Sequence, residues 1–244
     1  MLTVRNLVKR FEERTAVDDL SFTLRAGEIL GLVGPNGAGK TTTLRCIAGI
    51  IRSESGQIEI SGIDTAADPA EAKRRMALVP DEPNLFGRLS VWEHLELSAR
   101  LYQVDGWEKR AGELLENLEL DDRRDTLAES LSRGMRQKVA VASALLHTPR
   151  LLILDEPLVG LDPRGIRTLF ETIRSHAHAG HAVVMSSHLL GQIEHHCSQF
   201  LILHQGKKLF HGAKAEIAAE LPTLQDDASL EEIFFGATEA GVRV

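Results

Sequence analysis

The stretch Glu28-Ile29-Leu30-Gly31-Leu32-Val33 runs straight into Gly34-Pro35-Asn36-Gly37-Ala38-Gly39-Lys40-Thr41. No other segment limits the possible folds as much. The apolar run reads as a buried strand, and Thr42-Thr43-Leu44-Arg45 beyond the glycines opens a helix. The loop between them fills the pattern G-x-x-x-x-G-K-[ST]. Glycines let backbone N–H groups close around phosphate oxygens, Lys40 carries a charge to the outer phosphates, and the Thr41 hydroxyl suits Mg²⁺. The helix start adds its positive end. Asn36, Gly37, Ala38, Gly39, Lys40, Thr41 and Thr42 are therefore expected to hold a nucleoside triphosphate.

Strand and helix signals alternate along the rest of the chain. Residues 2–27 read as short strands leading to the loop, and Gln57-Ile58-Glu59-Ile60-Ser61-Gly62 alternates as a half-exposed antiparallel strand does. Met76 to Pro80 is a brief apolar strand. Helical periods follow over Val91–Val104 and Trp107–Leu118. After Leu151 the alternation returns, with a helix capped by Asp162, opened by Pro163 and closed by Gly180. His204-Gln205-Gly206-Lys207 suits a hairpin turn. The spacing predicts a main domain over residues 1–212, a helical insertion at about 86–148, and a peripheral, partly helical tail over 213–244 broken at Pro222. At 244 residues, either one large domain or two small ones would bury a working core.

Composition removes several function classes. A formal charge of −7 disfavours a partner held through its phosphate backbone, so no nucleic acid is expected. Cys46 and Cys197 lie far apart without metal-like spacing, which suggests reduced thiols. His176, His178, His181, His195 and His196 lack the spacing of a closed metal site. The longest apolar runs are too short to span a bilayer, and the first residues carry no signal-peptide core. A cytoplasmic polypeptide is expected.

Leu151-Leu152-Ile153-Leu154-Asp155-Glu156-Pro157 ends a buried strand in two carboxylates, at the sheet edge where ligands of parallel α/β folds bind. Asp155 is expected to hold Mg²⁺. Glu156, one residue further, is placed to polarise a water for in-line attack on a terminal phosphate. Between the two motifs lies Leu131-Ser132-Arg133-Gly134-Met135, with Ser132 the expected N-cap of a strong helix former.

A phosphate loop, a Leu-Ser-x-Gly element and a strand ending Asp-Glu-Pro, in that order, resemble the ATP-binding cassette (ABC) ATPases over nearly the whole chain. The resemblance implies an α/β fold: a P-loop NTPase core with a mixed, mainly parallel sheet, an N-terminal antiparallel β subdomain and an inserted α-helical subdomain. It also implies roles. Phe11 looks like the family's adenine-stacking aromatic with Val17 beside the ribose, Asp162 like its D-loop aspartate, and His188 like its switch histidine.

In this family two cassettes stack head to tail, so the resemblance implies that Ser132, Arg133, Gly134 and Met135 would meet ATP held by a second ABC ATPase subunit, in a homodimer. Hydrolysis would then drive a separate integral-membrane permease chain, with the cassette peripheral on the cytoplasmic face. The Leu-Ser-x-Gly-Met form is similar to the exporter branch. Asp81 stands where many members carry a glutamine, and could still offer Mg²⁺ an oxygen. Arg133 replaces a common glycine and Met135 a glutamine. A soluble ABC-type ATPase, or a nucleotide-gated regulator uncoupled from transport, is the competing reading. A single cassette without a long coiled coil disfavours the first, and Glu156 disfavours the second.

Overall fold

The computed structural model describes residues 1–219 and 228–241. The elements in chain order are β1 (Leu2–Phe11), β2 (Arg14–Leu24), β3 (Ile29–Val33), α1 (Lys40–Ile47), β4 (Ser55–Ile60), β5 (Ile63–Asp64), α2 (Pro69–Arg74) and β6 (Met76–Val79). Then follow α3 (Val91–Tyr102), α4 (Trp107–Asn117), α5 (Arg133–Leu145), β7 (Leu151–Leu154), α6 (Pro163–His178), β8 (Ala182–Ser187) and α7 (Leu190–Ile193). Strands β9 (Gln199–His204) and β10 (Lys207–Gly212) precede α8 (Lys214–Ala219) and α9 (Leu230–Gly241).

Two sheets result. An antiparallel sheet has the order β2-β1-β4-β5, and a six-stranded sheet the order β10-β9-β3-β8-β7-β6. In the larger sheet β9, β3, β8, β7 and β6 run parallel, and only β10 is antiparallel, through the hairpin at Gln205 (φ 48°) and Gly206 (φ 82°). Positive φ at both central residues is what a two-residue hairpin turn demands.

Period-two alternation splits the parallel strands between two cores. Leu30, Leu32, Leu151, Ile153, Val184 and Leu201 face the antiparallel sheet and α1. Val33, Leu152, Leu154, Val183, Met185 and Ile202 face the helical side, with Leu95, Val139 and Phe170. Covered on both faces, these strands need continuous apolar runs, as the sequence supplies.

Residues 2–27 fold into two long strands where short ones were expected. Register shifts along β1 explain why their alternation is loose, and Asn6 and Asp19, both at positive φ, hydrogen-bond each other at 2.8 Å beside one of them. The expected helices at 91–104 and 107–118 form as α3 and α4, and Asp162 caps α6 by accepting from Gly165 N–H at 2.7 Å.

The segment after residue 212 packs more deeply than a peripheral tail. Ile217, Leu230 and Ile233 are buried in the helical-side core. The Glu194 carboxylate ties both helices down, accepting from the Lys214 ammonium and, at 3.1 Å, from Leu230 N–H. The break expected at Pro222 lies outside the described residues.

At the opposite end of the sheet from the phosphate loop, His176 on α6 stacks on His181 with ring centroids 4.5 Å apart. Burial, then the neighbouring His181, pushes the His176 pKa down to about 4.

Two outcomes follow from this packing. Leu230→Ala, which empties a fully buried site, lowers unfolding free energy in urea by about 2 to 5 kcal/mol; an unchanged midpoint would detach α9 from the core. Because the His176 pKa is lower folded than unfolded, the unfolded chain takes up the proton first. Stability is therefore full above about pH 6.5 and falls as pH drops toward 4, by on the order of 3 kcal/mol from this residue. Urea titrations across that window should show a shallower slope for His176→Phe.

Candidate functional site: the phosphate-loop edge

Strands β3, β8 and β7 are parallel neighbours, with Val33 paired to Ser187 and Leu154 to Met185. Their C-terminal ends therefore reach one edge together, carrying the phosphate loop, the pair Ser186-Ser187 before His188, and Asp155-Glu156. Gly39 closes the loop at φ 105°, and a Cβ there would stand 2.4 Å from the Ala16 carbonyl oxygen. No other residue type fits that turn.

Lys40 begins α1 and is buried. Its ammonium donates to the Gly34 carbonyl at 2.7 Å and lies 3.8 Å from Glu156 Oε1. Burial pulls the Lys40 pKa below the usual lysine range, opposed by the carboxylates of Glu156 and Asp155. An ammonium held among carbonyl and carboxylate oxygens is poised to exchange them for phosphate oxygens.

The carboxylates are held as firmly. Asp155 Oδ1 accepts from the Ser186 hydroxyl at 2.6 Å and from the Thr41 hydroxyl at 3.3 Å. Ser186 Oγ in turn accepts from Glu156 N–H at 2.9 Å. Glu156 sits at φ 47°, a left-handed conformation rare for a side chain of its size. His188 Nδ1 lies 2.8 Å from Glu156 Oε2, and His188 N–H donates to the same oxygen at 3.3 Å. A strained backbone, a serine and a histidine together aim one carboxylate at the space beside Lys40.

The nucleoside side of the loop is more open. Phe11 ends β1 with about half its surface exposed, and the Lys9 ammonium stands 4.9 Å from its ring centroid. Val17 is fully buried in the inter-sheet core, so it presents no surface to a ribose. Arg14 and Thr15 instead line a cavity of about 330 Å³ with Asn36, Gly37 and Ala38, and the Arg14 guanidinium donates to the Gly37 carbonyl at 2.9 Å.

A second cluster forms where α5 begins. Ser132 caps it by accepting from Met135 N–H at 3.2 Å. Gly134 lies so close to the turn after β7 that a Cβ would stand 2.6 Å from the Gly160 carbonyl oxygen. Arg133 donates to Asp81 Oδ1 at 2.9 Å. Thus the structure gathers Lys40, Thr41, Asp155, Glu156 and His188 at one point, and Asp81, Ser132, Arg133, Gly134 and Asp162 around a neighbouring turn. Among the described residues no side-chain hydrogen bond joins Asp81 to Thr41 or Asp155; its carboxylate is engaged by Arg133.

Sequence reasoning missed Ser186 and Arg14. Ser186 does leave a trace, a hydroxyl in the otherwise apolar run Val183-Val184-Met185, but only strand pairing shows that it meets Asp155. Arg14 carries no motif.

A family model described as ABC transporter matches residues 17–159. The ABC-type transporter ATP-binding protein EcsA of Bacillus subtilis (strain 168) is 35% identical, over 98% of this chain and 97% of that protein. The lipopolysaccharide export system ATP-binding protein LptB of Escherichia coli (strain K12) is 35% identical over 96% of this chain and 97% of its own length. Among solved structures, an ATP-binding subunit of an ABC transporter superposes with a TM-score of 0.92 at 34% identity, covering 98% of this chain and 99% of that one. The ATP-binding cassette MJ0796, a dimer in a post-hydrolysis state bound to ADP and Pi, gives 0.79 at 25% identity, over 87% of this chain and 98% of that one. With its glycine loop, its paired carboxylates and its serine-capped α5 on the frame those proteins share, this chain belongs to the ABC transporter family.

Proposed function

We propose that the protein is the ATP-hydrolysing subunit of an exporter, acting as a head-to-tail homodimer on a separate integral-membrane partner. The observation that carries the catalytic part is Glu156, strained at φ 47° and fixed by both Ser186 and His188 within 3.8 Å of the Lys40 ammonium. In that setting Glu156 takes a proton from the attacking water as its oxygen forms a bond to the γ-phosphorus. The bond to ADP breaks, and ADP leaves with phosphate. His188 orients the carboxylate and reaches toward the γ-phosphate. Lys40 moves from the Gly34 carbonyl to the outer phosphates.

The Thr41 hydroxyl and Asp155 carboxylate, 3.3 Å apart, form an all-oxygen donor set that fits a hard divalent cation. Those two residues would hold Mg²⁺, which supplies charge neutralisation on the phosphates. Phe11 would stack the base. Ser132, Gly134 and Met135, at the capped start of α5, would face ATP on the second copy, where a helix N-terminus favours an anion, while the Arg133 guanidinium beside them is turned to Asp81. Asp162 caps α6 beside that surface.

The membrane partner is assigned to a groove of about 390 Å³ between the loop after β6 and helices α3 and α5, lined by Pro83, Leu85, Leu97 and Tyr102. Phe86 and Leu101, which also line it, are 62% and 71% exposed, an apolar rim suited to a partner helix. Among the described residues no helix is long and apolar enough to cross a membrane. Export is supported by the names of relatives: LptB, and the Nod factor export ATP-binding protein I of Ralstonia nicotianae (strain ATCC BAA-1114 / GMI1000).

Glu156→Gln should lower ATP turnover by roughly 10²- to 10⁴-fold while ATP-driven dimerisation persists; equal turnover in both proteins removes Glu156 as the base. Ser186→Ala deletes the contact that aligns Asp155 with Glu156. Its kcat should drop about tenfold, near the worth of a hydrogen bond to a charged group. Steady-state phosphate release checks it, and wild-type kcat would mean the serine is only structural.

A further inference from the structure

Asp81 and Arg133 touch each other. They lie 52 residues apart, one in the loop after β6 and the other at the first residue of α5, and their side chains meet at 2.9 Å. The Arg133 stem also crosses Gly160, where a Cβ would stand 3.1 Å from Arg133 Cδ. A single side chain thus touches the loop beside the partner groove, the start of α5 and the turn after Glu156.

Its surroundings are charged. Arg133 lines a cavity of about 380 Å³ together with Glu82, Glu129 and Arg136. The two partners are 42% and 48% exposed, so water and salt screen the pair. A pair of this kind shifts an equilibrium by roughly two- to five-fold. That is too little to hold the fold together, yet enough to bias the orientation of a helix start.

We propose that Asp81 and Arg133 form a positioning pair, which sets the orientation in which the Ser132 hydroxyl and the N–H groups near Gly134 meet ATP on a second copy. The inference rests on the head-to-tail dimer proposed above. It gives Arg133 a different task from a phosphate ligand: the guanidinium acts through Asp81 and does not touch the nucleotide.

The test uses the full chain carrying Glu156→Gln, so that dimers accumulate, and reads the ATP concentration at half-maximal dimerisation by sedimentation. Asp81→Asn and Arg133→Gln should each raise that concentration by the same factor, roughly two- to five-fold. The charge swap, Asp81→Arg with Arg133→Asp, should return it to within about two-fold of the parent. High salt should erase the difference between the parent and the single variants. Thermal unfolding midpoints should agree throughout; a fall in parallel with dimerisation makes the pair merely structural and overturns the proposal. If a single variant does not fold, Arg133→Lys, which keeps the charge, is compared with the swap. Unchanged single variants overturn the proposal, and so does a loss confined to Arg133→Gln without rescue in the swap, which is the signature of direct phosphate contact. A parent that binds ATP without dimerising sinks the sandwich reading itself, a result distinct from all of these.

Discussion

The parallel register of β3, β8 and β7 is the constraint on which the site depends. With Val33 opposite Ser187 and Leu154 opposite Met185, three chain segments end at one edge and deliver a glycine loop, a hydroxyl with a histidine, and two carboxylates. A slip of one residue in β8 would turn Ser186 to the opposite face and leave Asp155 without its shortest partner. The apolar packing on both faces of these strands prevents that slip. In this sense the two cores determine the chemistry of the nucleotide site.

The helical side and the phosphate edge meet at the turn after β7. Glu156 opens that turn, Gly160 lies within it at φ 84°, and Asp162 closes it by capping α6. The start of α5 is packed against its middle, with Gly134 against the Gly160 carbonyl. Few contacts therefore separate the Glu156 carboxylate from the serine-capped helix. Coupling of this kind needs a contiguous packed route, and here it is a handful of residues long.

Much of this was legible in the sequence. The glycine loop, Asp155-Glu156, the Ser132 and Asp162 caps and the hairpin at Gln205-Gly206 all rest on local patterns, where residue type alone dictates conformation. What was not legible depends on pairing between distant segments. Ser186 acquires its role only because β8 lies beside β7. Val17 was expected near a ribose, yet inward alternation along β2 buries it completely. Arg14 reaches Gly37 across the fold from a tight turn. The tail reads as peripheral, and only the burial of Ile217, Leu230 and Ile233 in the helical-side core, with the Glu194 contacts, reveals that it is anchored.

In its proposed role, Glu156 is also where activity and stability make opposite demands. At φ 47° a glycine would relax the main chain, since only the residue without a Cβ occupies that region freely. With Glu156 as the proposed base, a carboxylate there keeps a locally unfavourable conformation for the sake of turnover. Catalytic design at this position is therefore two problems, the group and the backbone that presents it. Any replacement that relieves the second also discards the first.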